Sequence, residues 1–200
     1  MKPRVDQASV LRQLRDLHAM VIHPQDQDGE ELVGQLHRIG CRVHNAWPEL
    51  DALPPDTGLV LMAMRPETLR VPYPWLGQPT TPPIIPVVTY EDPITIEAVL
   101  RLDAYATIAS PVRSSGLLTA IAVTLSQHRN RQAREQHIRR LEQKSAHQRM
   151  LHQAKQVMMS TRGVSEDEAH AFLREQAMSR RTTIEDVARR VLDAHKFLGL

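Results

Sequence analysis

The stretch Gln153-Ala154-Lys155-Gln156-Val157-Met158-Met159, with Gly163-Val164-Ser165-Glu166-Asp167-Glu168-Ala169 behind it, decides how the C-terminal part of the chain is built. Leu151, Ala154 and Met158 recur at helical spacing, so a helix runs through them, and Met158-Met159 reads as core. Gly163 can end that helix, because glycine enters the left-handed region without steric cost. Ser165 and Glu168 have the Ser-x-x-Glu form in which a hydroxyl and a carboxylate satisfy each other's backbone amides at a helix start. The helix they open is expected to bury Ala169, Phe172, Leu173 and Ala177. A third helix is capped by Thr182 or Thr183, with Glu185 or Asp186 in the matching box position. Ile184, Val187, Ala188, Val191 and Leu192 give it the strongest amphipathic stripe in the chain. The pattern predicts a compact three-helix bundle over residues 149–200.

Proline marks where the preceding segment changes character. All 14 prolines lie between Pro3 and Pro111, and after Gly116 the remaining glycines are Gly163 and Gly199. Proline inside a helix costs about 3 kcal/mol, so a chain without it is free of the strongest helix breaker. One continuous helix is predicted from Val112 to Thr161, about 75 Å at 1.5 Å per residue. Charge divides in the same region. Residues 1–126 carry 10 Lys and Arg against 14 Asp and Glu, whereas residues 127–200 carry 15 against 9. The balances of −4 and +6 make up the net +2. A basic C-terminal part suggests an anionic partner there; the alternative is a solvated helix surface.

The first part alternates strands and helices. Val10, Leu11, Leu14 and Leu17 suggest a short leading helix. Ala19–Ile22 reads as a strand, Glu30–Ile39 as a helix closed by Gly40, and Cys41–Ala46 as a second strand. Leu59–Met64 is the unbroken apolar run that a central parallel strand requires. Ile84–Val88 is a fourth strand despite Pro86, Ile94–Leu102 a helix and Ala104–Ala109 a fifth strand. This order predicts an α/β fold with a doubly wound parallel sheet. Six prolines between Arg65 and Pro83 leave room for a loop or a stunted helix where the pattern would place a full one, and Tyr73 and Trp75 are expected to pack on the sheet.

Taken together, Ala154-Lys155, Met158-Met159, Gly163, Glu168-Ala169, Leu173-Arg174, Ala177-Met178 and Asp186-Val187-Ala188 resemble the ANTAR domain, the RNA-binding module of bacterial transcription antiterminators. Gln156 departs from the family, which often carries glycine there. The α/β part resembles a response-regulator receiver, a flavodoxin-like fold, without its chemistry. Its third strand ends Ala63-Met64-Arg65, with no aspartate to accept a phosphoryl group. The first strand is followed by His23-Pro24-Gln25, and Asp26 and Asp28 come too late to hold magnesium. Ser110-Pro111 replaces the receiver's Lys-Pro, and Thr89 matches its switch hydroxyl. The order is a pseudo-receiver over 1–111, a long linker helix or coiled coil over 112–148 and an ANTAR bundle over 149–200. With Ile39-Gly40-Cys41, Trp47-Pro48 and Tyr90-Glu91, it resembles the AmiR-like family of antiterminators. The resemblance implies an RNA-binding regulator that binds leader-mRNA hairpins and prevents terminator formation. It also implies control by a ligand-sensing, amide-sensor-like repressor protein rather than by phosphorylation.

Lys155, Arg162, Arg174, Arg180, Arg181 and Thr183 are the candidate RNA-binding residues. Phosphates attract Lys and Arg without regard to sequence, and Arg180-Arg181 with Thr182-Thr183 places charge and hydroxyls at a helix start, where free amides also favour anions. For each arginine the alternative is a solvated surface charge. The long helix offers a seam through Arg134, Ile138, Leu141, Ser145, Gln148 and His152. It has two apolar members, fewer than a stable coiled coil normally needs, yet the family resemblance favours a homodimer. Among ten histidines, His147 and His152 stand five apart and do not form a ligand pair. No metal, cofactor, nucleophile elbow or nucleophile–base pairing is indicated, so no enzyme is expected. A single cysteine, Cys41, fits a reducing compartment, and neither a secretory signal nor a membrane-length apolar run is seen. A cytoplasmic protein is therefore expected. A DNA-binding response-regulator-like transcription factor and a protein-only structural adaptor are the other classes considered.

Overall fold

The computed structural model describes residues 14–198. Eleven elements are found among them: β1 (His18–Ile22), α1 (Gln27–Ile39), β2 (Arg42–Ala46), β3 (Thr57–Met64), α2 (Pro66–Arg70), β4 (Ile84–Val88), α3 (Pro93–Arg101), β5 (Ile108–Ala109), α4 (Ser114–Arg162), α5 (Glu166–Ser179) and α6 (Ile184–Leu198). Contacts divide the chain between Arg131 and Gln132 into two compact units. No helix among the described residues is long and apolar enough to cross a membrane.

In the first unit the five strands form one parallel sheet in the order β2-β1-β3-β4-β5. Side chains alternate across a strand, and both faces are apolar. Ala19, Val21, Leu59, Leu61, Ile85 and Val87 pack with Leu32 and Leu36 of α1 and Leu117 and Ile121 of α4. Met20, Ile22, Val60, Met62 and Ile84 pack on the opposite face with Tyr73 and Trp75. There the proline-rich segment replaces a helix, and α2 is the stunted helix expected. The hydroxyl of Tyr73 donates to Pro48 O at 2.7 Å and the indole of Trp75 to Leu50 O at 3.0 Å. Both rings therefore bury their apolar bodies while their polar ends are satisfied.

Pro86 sits inside β4, which has neighbours on both sides. The Pro83 carbonyl accepts from Val60 N at 3.0 Å and the Val88 carbonyl from Ser110 N at 2.9 Å. Successive residues of a parallel strand bond to opposite neighbours, so Pro86, like Val88, faces β5. That strand begins only level with Val87, so the missing N–H falls where no ladder partner stands.

Three expectations are corrected. The fifth strand is two residues long, not six, because a turn with Asp103 at φ 49° follows α3. The long helix is not continuous from Val112: Ser115 and Gly116 leave helical geometry, Gly116 at φ 96°, and the uninterrupted helix follows them. Met159 is exposed while Met158 is buried, since consecutive helical residues face directions about 100° apart. The expected leading helix through Val10, Leu11, Leu14 and Leu17 falls largely outside the described residues; Leu14 and Leu17 are buried in the first core.

The second unit has a smaller core. Ala154 and Met158 of α4, Ala169, Leu173 and Ala177 of α5, and Val187 and Ala188 of α6 are buried together. Small residues let the helices approach, and Phe172, expected to be buried, is only partly covered. Gly163 takes φ 66° and its amide donates to Met159 O, ending α4 as expected. The Ser165–Glu168 capping box forms at the start of α5.

Candidate nucleic-acid interface

Three short stretches fix the candidate residues in the second unit. At the first, where α4 meets α5, Lys155 Nζ donates to Glu166 Oε1 at 2.5 Å. The lysine side chain is 16% exposed and the glutamate 57%, so the lysine stem packs while the carboxylate stays wet. Lys155, by hydrogen bond and by charge, holds the Glu166 carboxyl below its usual value, with His152 and His170 adding to the effect. Arg162, in the last turn of α4, lies over the Phe172 ring at 4.7 Å from its centroid, a cation–π contact that orients the guanidinium while leaving its donors outward.

The second is the turn between α5 and α6. Thr182 N donates to Ala177 O at 3.0 Å and Arg181 N to Met178 O at 3.2 Å. This pair of bonds is the Schellman closure, which needs a left-handed residue between helix end and exit. Glycine is the usual occupant; here it is Arg181 at φ 51°. A side chain there costs roughly 1–2 kcal/mol, so the position holds a charged residue against its backbone preference. Arg180 precedes it as the C-cap of α5, and both arginines are exposed.

The third is the start of α6. Asp186 N donates to Thr183 Oγ1 at 3.2 Å, and the hydroxyls of Thr183 and Thr182 donate to Asp186 Oδ2 at 2.8 and 3.0 Å. The Thr183 bond, then that of Thr182, lowers the Asp186 carboxyl below its usual value. The Thr183 hydroxyl is thereby occupied as the helix cap. Arg174 projects from the outer face of α5, where with His170, Glu175 and Met178 it lines a shallow groove of about 450 Å³. The structure thus gathers Arg180, Arg181 and Thr183 in one turn, ties Lys155 and Arg162 to the α4–α5 junction, and sets Arg174 on a separate helix face.

The sequence reading missed the partners. Nothing in the spacing pairs Lys155 with Glu166, and Phe172 was assigned to the core rather than to Arg162. In the first unit it missed how the strand ends are closed. Asp26 caps α1 by accepting from Gly29 N at 3.0 Å, its other oxygen accepts from Arg65 at 2.6 Å, and His23 Nδ1 lies 3.3 Å away. Burial pushes the Asp26 carboxyl up, but the Gly29 amide and Arg65 outweigh it, leaving it below its usual value. Asp28 accepts from the Ser110 hydroxyl at 2.5 Å and from Val112 N at 2.7 Å. Both acids are committed to the chain's own donors. Among the described residues no group of three or more His, Cys, Asp or Glu is placed to hold a metal ion.

Comparison with known proteins agrees with this layout. The AmiR N-terminal family model matches residues 17–125 and the ANTAR domain model residues 139–192. The aliphatic amidase regulator of Pseudomonas aeruginosa is 28% identical over 187 residues, covering 92% of this chain and 95% of that protein. The transcriptional regulatory protein PdtaR of Mycobacterium tuberculosis is 27% identical over 111 residues, 56% of this chain and 54% of its own length. Among solved structures, the response regulator StyR aligns with a TM-score of 0.52 at 17% identity over 90% of this chain and 99% of that one, a likeness of fold. The first model covers the parallel sheet and the second the end of α4 with the capped three-helix bundle, and the chain belongs to the AmiR family as an AmiR-like, ANTAR-domain transcription antitermination regulator.

Proposed function

We propose that the C-terminal bundle binds stem-loop RNA in a leader transcript and prevents a terminator hairpin from forming. The observation that carries this reading is Arg181, a cation kept at a left-handed position where glycine would be easier. Strained positions of this kind persist where the side chain is needed. Arg180 and Arg181 hold phosphates beside the first turn of α6, Arg162 and Arg174 extend the contact, and Thr183 fixes the turn. Lys155 joins by exchanging Glu166 for a phosphate. The protein acts in the cytoplasm as a homodimer, paired along Arg134, Ile138, Leu141, Ser145, Gln148 and His152, and it catalyses no reaction.

Control comes from a ligand-sensing, amide-sensor-like protein partner and not from phosphorylation. What supports this is the commitment of Asp26 and Asp28 to internal donors and the absence of a carboxylate at Arg65. The test is binding of the full chain to stem-loop RNA and to duplex DNA across a salt series. Salt-dependent retention of RNA over DNA is expected, and Lys155→Ala should weaken it about fivefold, as loss of one phosphate contact does, with far-ultraviolet circular dichroism unchanged. Preference for duplex DNA would favour a DNA-binding regulator. No nucleic-acid binding at any salt would favour a protein-only adaptor.

A further inference from the structure

The face of α4 that becomes the core of the bundle begins upstream as a row of basic side chains. Arg140, Lys144, His147 and Leu151 follow at steps of four, three and four, and Ala154 and Met158 continue at three and four. Such steps keep side chains on one helical stripe. Ala154 and Met158 are buried under α5 and α6, and Leu151 packs partly against them. Arg140, Lys144 and His147 are exposed. With Gln143, Gln148 and Glu185 in the first turn of α6, they line a groove of about 400 Å³, within the size range of pockets that hold small ligands.

The cations in this groove are uncommitted. Arg139, one residue away on another face, pairs with Glu135, and Arg149 bonds Ser145. Arg140 and Lys144 have no such partner among the described residues. From Arg140 to His147 the helix rises about 10 Å, enough to address more than one phosphate of a strand. Glu185 closes the groove on the α6 side and repels phosphate, which leaves the phosphates to the α4 side. The amide of Gln143, which lies off the proposed dimer seam, offers donors and an acceptor, as edges of unpaired bases require. Glu185 also lies four residues after Arg181, so the groove and the proposed RNA-binding turn are consecutive along the chain.

We propose that this groove is a second RNA-binding site, in which Arg140 and Lys144 hold the phosphates of a single strand leaving the stem-loop. The inference rests on the RNA-binding reading above. It commits to RNA rather than an acidic peptide because Glu185 and Gln143 suit a ligand with neutral base edges between its charges.

The test uses the full-length chain, a library of stem-loop RNAs with randomised loops and single-stranded flanks, and a salt series. The Arg140→Gln/Lys144→Gln double variant should bind about tenfold more weakly, and its log–log salt slope should be shallower by about 1.4, two single-strand phosphates at roughly 0.7 each. Arg139→Gln, on the neighbouring face, should leave both unchanged. Removing the flanks should erase the difference between the double variant and the natural chain. Natural affinity and slope in the double variant would overturn the second site while leaving RNA binding by the turn intact; failure of the natural chain to retain any RNA would remove both. Displacement of the RNA by poly-glutamate, at equal charge and in the natural chain but not the double variant, would show the groove to be a peptide site and also overturn it.

Discussion

The strand ends of the first unit and the α5–α6 turn of the second handle charge in opposite ways. At the strand ends the two acids that follow β1 are held by their own chain: Asp26 by Arg65 and Gly29, Asp28 by Ser110 and Val112. At the turn two arginines stand exposed, one of them against its backbone preference. The carboxylates there are engaged within the fold. Uncommitted charge on a capped turn leaves a site that gains by meeting an anion. The same chain carries engaged charge in one place and exposed charge in another, and the difference lies in which groups the fold itself satisfies.

The contrast can be broken most forcefully from below, by removing the support of the open site. Leu173 is fully buried in a small core, and Leu173→Ala should cost roughly 2–5 kcal/mol. Calorimetry should show the bundle melting early, with RNA retention lost. Next in size is the closed site. Asp28→Ala leaves the Ser110 hydroxyl and the Val112 amide without their acceptor and should cost about 2–3 kcal/mol, read as a lower denaturant midpoint. RNA affinity measured at low denaturant should be unchanged, which separates the two sites.

A smaller effect sharpens the comparison. Arg181→Gly relieves the left-handed position and should raise stability by about 0.5–1 kcal/mol, once glycine's greater unfolded freedom is set against the relief. RNA affinity should fall at the same time. A variant that is both more stable and a weaker binder would identify the arginine as retained for its charge. If the variant binds as before, the strain has another origin.

The smallest effect is one of pH. Glu166 has its folded pKa depressed by Lys155. Its contribution is therefore present above the ordinary glutamate value of about 4.5 and is lost as pH falls through the lower folded value. Glu166→Gln should flatten that part of the acid-unfolding profile of the bundle and leave the neutral-pH profile little changed, because the carboxylate is solvent-exposed. An unchanged acid limb would mean the ion pair does not form in solution.

What the sequence could and could not show follows from where the determinants lie. Strands such as Leu59–Met64 and the stripes of α5 and α6 are local patterns, and so are the Ser165–Glu168 box and the Gly163 stop; all could be read directly. The link from Asp28 to Ser110 joins residues 82 apart, and no local pattern announces it. Lys155 and Glu166 meet because a turn folds back between them. Phe172 fitted the apolar stripe and gave no hint that Arg162 would cover it. The extent of β5 depended on a turn at Asp103, whose left-handed backbone a non-glycine residue does not advertise. The candidate cations were legible as charges; which were free and which engaged was not.

Pro86 has a consequence for the protein's company with its own kind. A sheet that ends in a two-residue strand leaves part of the preceding strand's outer side without a full ladder, and such margins invite pairing with strands of other molecules. At Pro86 an incoming strand would find no donor. The residue that looked least suited to a strand therefore guards the sheet against intermolecular extension.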